Sequence, residues 1–278
     1  MGALALLKSD IRPIGLVHGR RGGPGWLKLL ACCGDIPRFM TPNLEEKKAQ
    51  DALLELAPTL LVSSFYPRRI PVALLNKVPG LNVHPSDLPR WRGPDPCTWT
   101  IFEGDQRTAI CIHWLTEEID EGDILDRHPI MVKPRESAGS LSRRLETLGA
   151  QRMAAVVARL RDGQDLPSVP QRGSITWAPI HEPEFWEIDW RQDAVAIDRF
   201  VRAAAPFPGA YTGLGDELLV VISGAPVNAN AFQSLDPGTP FIASGVTHIR
   251  CGTGAFRLGR LRLGRRQLTG RRLTDLLI

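Results

Sequence analysis

Asn82 and His84 stand two residues apart at the end of an apolar run, inside "LNVHPSDLPRWRG" from Leu81 to Gly93. On a strand the alternation of two sends both side chains to one face. A side-chain amide can donate to an oxygen that gains negative charge. An imidazole beside it can carry a proton near neutral pH. Together they are equipment for acyl transfer, although the same spacing fits a capped strand end with a satisfied histidine. Pro85 and Pro89 lock φ in the loop behind them. A second segment, "LTEEIDEGDIL", sets Glu117, Glu118, Asp120, Glu121 and Asp123 in a short loop between two strands. Most of these acids must be solvated, but one that approached the imidazole would orient it and favour its protonated form. An acidic surface turn or a cation site are the alternatives, and the spacing is not that of an EF-hand loop.

The elements that would position these residues alternate. "IRPIGLVHG" reads as a strand, "PGWLKLLACC" as a helix and "IPRF" as a short extended piece. "NLEEKKAQDALLELA" reads as a helix capped by Asn43 with acids in its first turn. "TLLVSSF" suits a buried parallel strand. "VALLNKV" is a brief helix and "GLNVH" the next strand, followed by strands "TAICIHWL" and "ILDRHPIMV". The longest helical pattern runs from Ser137 to Arg161, with Leu141, Leu145, Leu148, Met153, Val156 and Leu160 along one side. Strands alternating with helices imply an α/β fold with a doubly wound, mostly parallel Rossmann-like sheet. "DGQDLPSVPQRGS" loses periodicity and gains Gly, Pro and Ser, as a linker does. Beyond it, the helix "DAVAIDRFVRAA" and the short strands "AYTGL", "ELLVVIS", "PFIAS", "VTHIRC" and "FRLGRLRL" suggest a small β-barrel domain. The expected division is 1–163, a linker over 164–183, and 184–278.

Bulk properties narrow the classes. The 278 residues, 43% hydrophobic and 23% charged, are enough for a sizeable core. No run of roughly eighteen apolar residues is present, so no transmembrane helix is expected. "MGALALLKSD" is too short and too weakly basic for a signal peptide. Five cysteines, at 32, 33, 97, 111 and 251, show no CxxC spacing. Adjacent Cys32 and Cys33 suit neither a zinc site nor an easy disulfide. A reduced, cytoplasmic protein without structural metal is expected. The net charge of +4 is unevenly spread. Arg250, Arg257, Arg260, Arg262, Arg265, Arg266, Arg271 and Arg272 face one acid, Asp275, over the last stretch. Such an excess attracts polyanions, or simply forms a solvated surface.

The two segments together resemble the formyltetrahydrofolate-dependent formyltransferase family. Its pattern is Asn-x-His-Pro-Ser-Leu-Leu-Pro-x-x-Arg-Gly, followed downstream by Asp-x-Gly, here Asp120-Glu121-Gly122. "ITWAP", "IDW" and "VRAAAPFPGAYT" resemble the OB-like C-terminal domain of its methionyl-tRNA and sugar enzymes. The resemblance implies a catalytic triad of Asn82, His84 and Asp120, with 10-formyltetrahydrofolate as co-substrate and no metal. Asn82 and His84 would bind the oxyanion of a tetrahedral intermediate. Asp120 would hold the imidazole and raise its pKa, and His84 would move a proton from the attacking amine towards the leaving folate nitrogen. By the same resemblance the pterin contacts fall on "SFYPRRIP" and "LTEEID": Phe65, Tyr66, Arg69, Ile70, Leu115, Thr116 and Ile119. Core packing competes for Phe65 and Ile70.

Three departures from the family stand out. Asp87 replaces a leucine, and its carboxylate could touch an acceptor amine or face solvent. The acidic loop is more acidic than usual. "GALALLKSD" resembles the tail of the family's first helix, so the strand before it is missing; either the start is misassigned or another segment repairs the sheet. As to the acceptor, the shortened "HGRRGGPGW" segment, with only Arg20 and Arg21, favours a small amine such as an amino sugar or a peptide amine. The C-terminal arginines favour the alternative, a tRNA-borne amine. A formyltetrahydrofolate hydrolase and an inactive homologue are further alternatives.

Overall fold

A computed structural model describes residues 2–18, 34–40, 43–66, 68–228 and 234–277. The expected helix "PGWLKLLACC", with Cys32 and Cys33, and the segment with Arg20 and Arg21 lie outside the described residues. The chain forms two units. The first comprises Met1–Pro96, Arg107–Met131 and Ser142–Ala178; the second comprises Cys97–Gln106, Val132–Leu141 and Pro179–Ile278.

In the first unit, α1 (Gly2–Lys8), β1 (Leu16–His18), β2 (Arg38–Met40), α2 (Lys47–Leu54), β3 (Leu61–Ser64), α3 (Val72–Leu75) and β4 (Gly80–His84) follow in order. After a short helix α4 (Pro96–Phe102) come β5 (Arg107–Trp114), β6 (Ile124–Met131) and the long α5 (Ala138–Arg161). The main sheet has the order β3-β4-β5-β6. β3 and β4 are parallel, as expected, but β4–β5 and β5–β6 are antiparallel. The β5–β6 pairing follows from its connection, which holds no helix. A parallel return needs a crossover of about a dozen residues or more, whereas a short loop makes a hairpin. β1 and β2 form a separate parallel pair, and among the described strands β3 pairs only with β4. Val17 and Phe39 still share an apolar cluster with Leu61, Leu44, Leu53 and Leu74.

β4 and β5 are buried on both faces: Leu81, Ala109, Ile110, Cys111 and Ile112 are fully covered. Leu141, Leu145 and Met153 of α5 are equally buried, as their spacing predicts. Each such side chain contributes about 1.5–3 kcal/mol of hydrophobic free energy. The α2 start differs from expectation. Asn43 accepts from the Glu45 N–H in a preceding turn, and the helix begins after Glu46, which makes no side-chain cap.

Among its described residues, the second unit contains a 3₁₀ turn (Pro183–Trp186), α6 (Ala194–Ala204), eight strands and α7 (Gly270–Leu277). The strands are β7 (Ala210–Leu214), β8 (Glu217–Val221), β9 (Gly224–Val227), β10 (Pro240–Ala243), β11 (Val246–Arg250), β12 (Ala255–Leu258), β13 (Arg260–Leu263) and β14 (Arg266–Thr269). They form two four-stranded sheets, β10-β11-β12-β9 and β14-β13-β8-β7, with no closed barrel among the described pairings. Asp193 caps α6 by accepting from the Val195 and Ala196 N–H groups. α4 belongs here because Trp99 and Phe102 join an aromatic cluster with His181, Phe185 and Phe200. "FRLGRLRL", expected as one strand, splits at Gly259, so Arg257 lies on one sheet and Arg260 and Arg262 on the other.

Cys97, Cys111 and Cys251 are buried, and burial pushes the Cys111 and Cys251 thiols up to about 12. No described helix is long and apolar enough to cross a membrane.

Candidate active site

β4 ends on Asn82 and His84, and the loop after β5 returns to them. The antiparallel register of β4 and β5 pairs Asn82 with His113. It also brings Asp120, in the turn beyond, onto both β4 side chains. Asp120 has φ +54°, a left-handed conformation that costs a non-glycine residue energy and needs surrounding support. Two glycines make the turn feasible. A Cβ on Gly122 would lie 1.9 Å from the Trp114 carbonyl oxygen, so only hydrogen fits. Gly93, at φ +111°, presents its N–H to Asp120 Oδ2 at 2.9 Å.

Four groups surround the carboxylate. Oδ2 receives the Gly93 N–H and faces His84 Nδ1 at 3.3 Å. Oδ1 receives an Asn82 amide hydrogen at 3.2 Å and faces His113 Nε2 at 3.4 Å. The second imidazole, His113, was not anticipated. Its Nδ1 lies 2.8 Å from the Trp114 carbonyl and therefore carries a hydrogen. That leaves Nε2 as an acceptor for the other Asn82 amide hydrogen, at 3.3 Å. The expected triad residues Asn82, His84 and Asp120 are thus brought together, with His113 as a fourth member.

His84 sits between two acceptors. Nε2 is 2.8 Å from the Trp91 carbonyl, and Nδ1 faces Asp120. One proton satisfies one of these contacts; only the imidazolium satisfies both. Burial nevertheless lowers the His84 pKa, with the opposing pull of Asp120 and the Trp91 carbonyl outweighed. The expected net rise is therefore not found, because the ring is almost fully enclosed. Burial also works against ionisation of Asp120, yet the two histidines and the Gly93 N–H hold it down at about 2. The Asn82 amide adds a hydrogen bond to the same carboxylate. Its attraction to His84 is realised when that ring takes a proton.

The expected donor-contact residues divide into two groups. Arg69 donates to the Glu117 carbonyl, joining the two segments in space. Phe65 and Ile119 are exposed apolar side chains. Thr116 turns its hydroxyl onto the Glu118 carbonyl, and Leu115 donates its N–H to Gly80. Tyr66 and Ile70 pack against the cluster of Leu44, Leu53 and Leu74, and burial raises the Tyr66 pKa. The Tyr66 hydroxyl has no hydrogen-bond partner among the described residues. Asp87 pairs with Arg127 at 2.6 Å, and Arg127 also holds the Leu88 carbonyl.

The chain matches the formyl transferase family model over residues 30–157 and the model of its C-terminal domain over 181–275. A methionyl-tRNA formyltransferase of Marinobacter nauticus is 32% identical over 252 residues, covering 89% of this chain and 79% of the relative. One of Aromatoleum aromaticum is 35% identical over 264 residues, covering 93% and 80%. Among solved structures, HypX from Aquifex aeolicus in complex with tetrahydrofolic acid shares the fold, with TM-score 0.67 and 21% identity. That match covers 88% of this chain, and the chain spans less than half, 43%, of HypX. The two family matches fall on the sheet that carries Asn82, His84 and the Asp120 turn and on the β-rich second unit. The chain belongs to the formyl transferase family, folate-dependent N-formyltransferases whose one-carbon donor is formyltetrahydrofolate.

Proposed function

We propose that the chain formylates the primary amine of an aminoacyl-tRNA, methionyl-tRNA in particular, with Asn82, His84 and Asp120 as its catalytic residues. The convergence of Asn82 and His84 on the Asp120 carboxylate carries the chemical part of the reading. The donor set also fits formyltetrahydrofolate. Phe65 and Ile119 offer apolar contact, and the Arg69 link holds their two segments together. Bound there, formyltetrahydrofolate supplies an electrophilic formyl carbon. Asn82 turns an amide hydrogen towards the oxygen that gains charge. His84, neutral at rest, takes the proton of the attacking amine and gains its second hydrogen-bonded contact as it does so. Asp120 stabilises the imidazolium that results, and His84 returns the proton to the departing nitrogen.

The acceptor reading rests on the arginines of the second unit. Arg257, Arg260, Arg265, Arg266, Arg271 and Arg272 are exposed and Arg262 is half-buried. None of them forms an ion pair among the described residues. Arg260 and Arg262 share a face of β13, with Gln267 and Thr269 opposite on β14. Relatives at 32% and 35% identity are named as methionyl-tRNA formyltransferases. A small amine, such as an amino sugar nucleotide, is the second reading. It is favoured by the scarcity of basic residues around Arg20 and Arg21 in the sequence.

The test is tRNA binding across a salt series, followed by formylation of charged initiator tRNA. Each phosphate contact should cost about 0.7–0.9 log units of affinity per log unit of salt. No binding at low salt, with turnover of an amino sugar nucleotide, would replace the first reading by the second.

A further inference from the structure

The segment after α5 does not run free. Residues 164–178 lie along the first unit. Val169 exchanges both backbone hydrogen bonds with Ile124. Thr176 accepts from the Arg92 N–H through its carbonyl and from the Trp91 N–H through its hydroxyl. Between these anchors sits Gln171, whose side chain is fully used. Its amide hydrogens go to the Asp120 carbonyl at 2.7 Å and the Gly122 carbonyl at 3.0 Å. Its oxygen accepts from Arg92 Nε at 3.2 Å and Nη2 at 2.8 Å. Arg92 is buried. The opposite amide orientation would set donors against the guanidinium, so the network fixes which way Gln171 points.

We propose that Gln171 is a positioning residue for formyl transfer: it grips the main chain of the Asp120 turn and so holds the carboxylate on His84. Three observations converge on this. Asp120 occupies a left-handed conformation that it does not favour alone. Its carboxylate must meet groups on β4 and Gly93 at the same time. Both carbonyls that Gln171 binds flank the turn, one on Asp120 itself. Arg92 completes the clamp, approaching Glu121 in the same turn at 3.5 Å. A misplacement of the order of 1 Å at such a carboxylate costs about a hundredfold in rate.

The inference rests on the formyl-transfer reading, and two variants separate its failure from that of the reading. Gln171→Glu keeps an acceptor for Arg92, so the segment stays anchored, but sets a carboxylate against two carbonyls. In the full chain, with formyltetrahydrofolate and methionyl-tRNA, its kcat should fall by about ten- to a hundredfold. KM for formyltetrahydrofolate should stay within a few-fold, and the melting temperature should hold. Gln171→Met adds no charge and removes both donors. There the His84 ring, followed by NMR without substrate, should titrate at lower pH, because Asp120 no longer sits against it. The groups that set this titration are Asp120, His113 and the Trp91 carbonyl, with Glu121 and Arg92 beyond them. Wild-type kcat in a folded Gln171→Glu variant overturns the proposal. So does a Gln171→Met variant that folds with an unmoved His84 titration. If Gln171→Met does not fold, kcat of Gln171→Glu decides alone. A wild-type chain without turnover, but with a shifted His84 titration in Gln171→Met, overturns the methionyl-tRNA reading and retains the positioning role.

Discussion

Replacing Asp120 by asparagine probes the proposed site most directly, because it keeps shape and removes charge. The carboxylate accepts on both oxygens, from Gly93 on one side and Asn82 on the other. An amide has one acceptor, so one of these donors would face an NH2 group. At 3.3 Å and an effective dielectric of about 20, a carboxylate attracts an imidazolium by about 5 kcal/mol. Desolvation takes back part of this, and loss of the charge lowers the His84 pKa. The direction is fixed: Asp120 pushes the His84 pKa up, so its removal lets burial pull the ring lower. If His84 acts as the base, activity rises with pH as the ring deprotonates, and the acid limb of kcat/KM shifts to lower pH in Asp120→Asn. Turnover itself should fall by roughly a hundredfold or more, since the imidazolium loses its partner. Steady-state rates from pH 5 to 9, with circular dichroism to establish folding, make the measurement. An active variant with an unmoved acid limb would refute the coupling of Asp120 to His84. The substitution also has a stability signature. A carboxyl held at about 2 against an ordinary value of about 3.9 contributes roughly 2 kcal/mol. That stability is present above pH 4 and is lost as pH falls towards 2, so wild type and Asp120→Asn should converge across that window in denaturant titrations.

Further expectations concern neighbouring residues. His84→Ala and Asn82→Ala should each lower turnover by about a hundredfold or more in a folded protein; near-wild-type rates in His84→Ala would remove the proposed base. Gly122→Ala places a Cβ 1.9 Å from the Trp114 carbonyl oxygen, so the turn must move. A loss of about 1–3 kcal/mol of stability together with a fall in kcat is expected, and unchanged kinetics would show that the turn tolerates displacement. Asp87→Leu removes an ion pair between partly exposed side chains, worth at most about 1 kcal/mol. Turnover should be nearly unaffected, and a large rise in acceptor KM would instead assign Asp87 to acceptor binding.

Asn82 and His84 were legible because a strand end leaves a local mark, and the acidic loop offered a carboxylate nearby, but only the family resemblance singled out Asp120 among its five acids. His113 was hidden by its neighbours. "TAICIHWL" reads as an apolar strand, and its histidine becomes meaningful only through the antiparallel β4–β5 register that pairs it with Asn82. A cue existed, since a polar residue that near a strand end, before an acidic loop, is where β5 must pass β4. Gln171 was hidden differently. Pro, Gly and Ser around it report a backbone without helix or strand periodicity, and that is true of residues 164–178, but composition carries no information about what such a backbone lies against. The antiparallel β5–β6 hairpin was readable in principle from the short link between the strands. The exposed face of the C-terminal arginines needed the break at Gly259, which distributes them over two sheets. Tyr66 and Ile70 show the reverse case: apolar bodies near a cleft fill a core as readily as they line a site, and here they pack on Leu44, Leu53 and Leu74.

Both amide hydrogens of Asn82 are engaged at rest, one by Asp120 and the other by His113. The resting pocket is therefore a closed ring of donors and acceptors with no idle activator for a carbonyl. A formyl oxygen can be polarised there only by displacing one of those contacts, and a large, well-seated donor molecule is better placed to do so than a stray water. On the proposed roles, the ring works as a guard on the one-carbon unit. It keeps hydrolysis slow until donor and amine are both in place, and opening it by His113→Ala should raise acceptor-independent formate release.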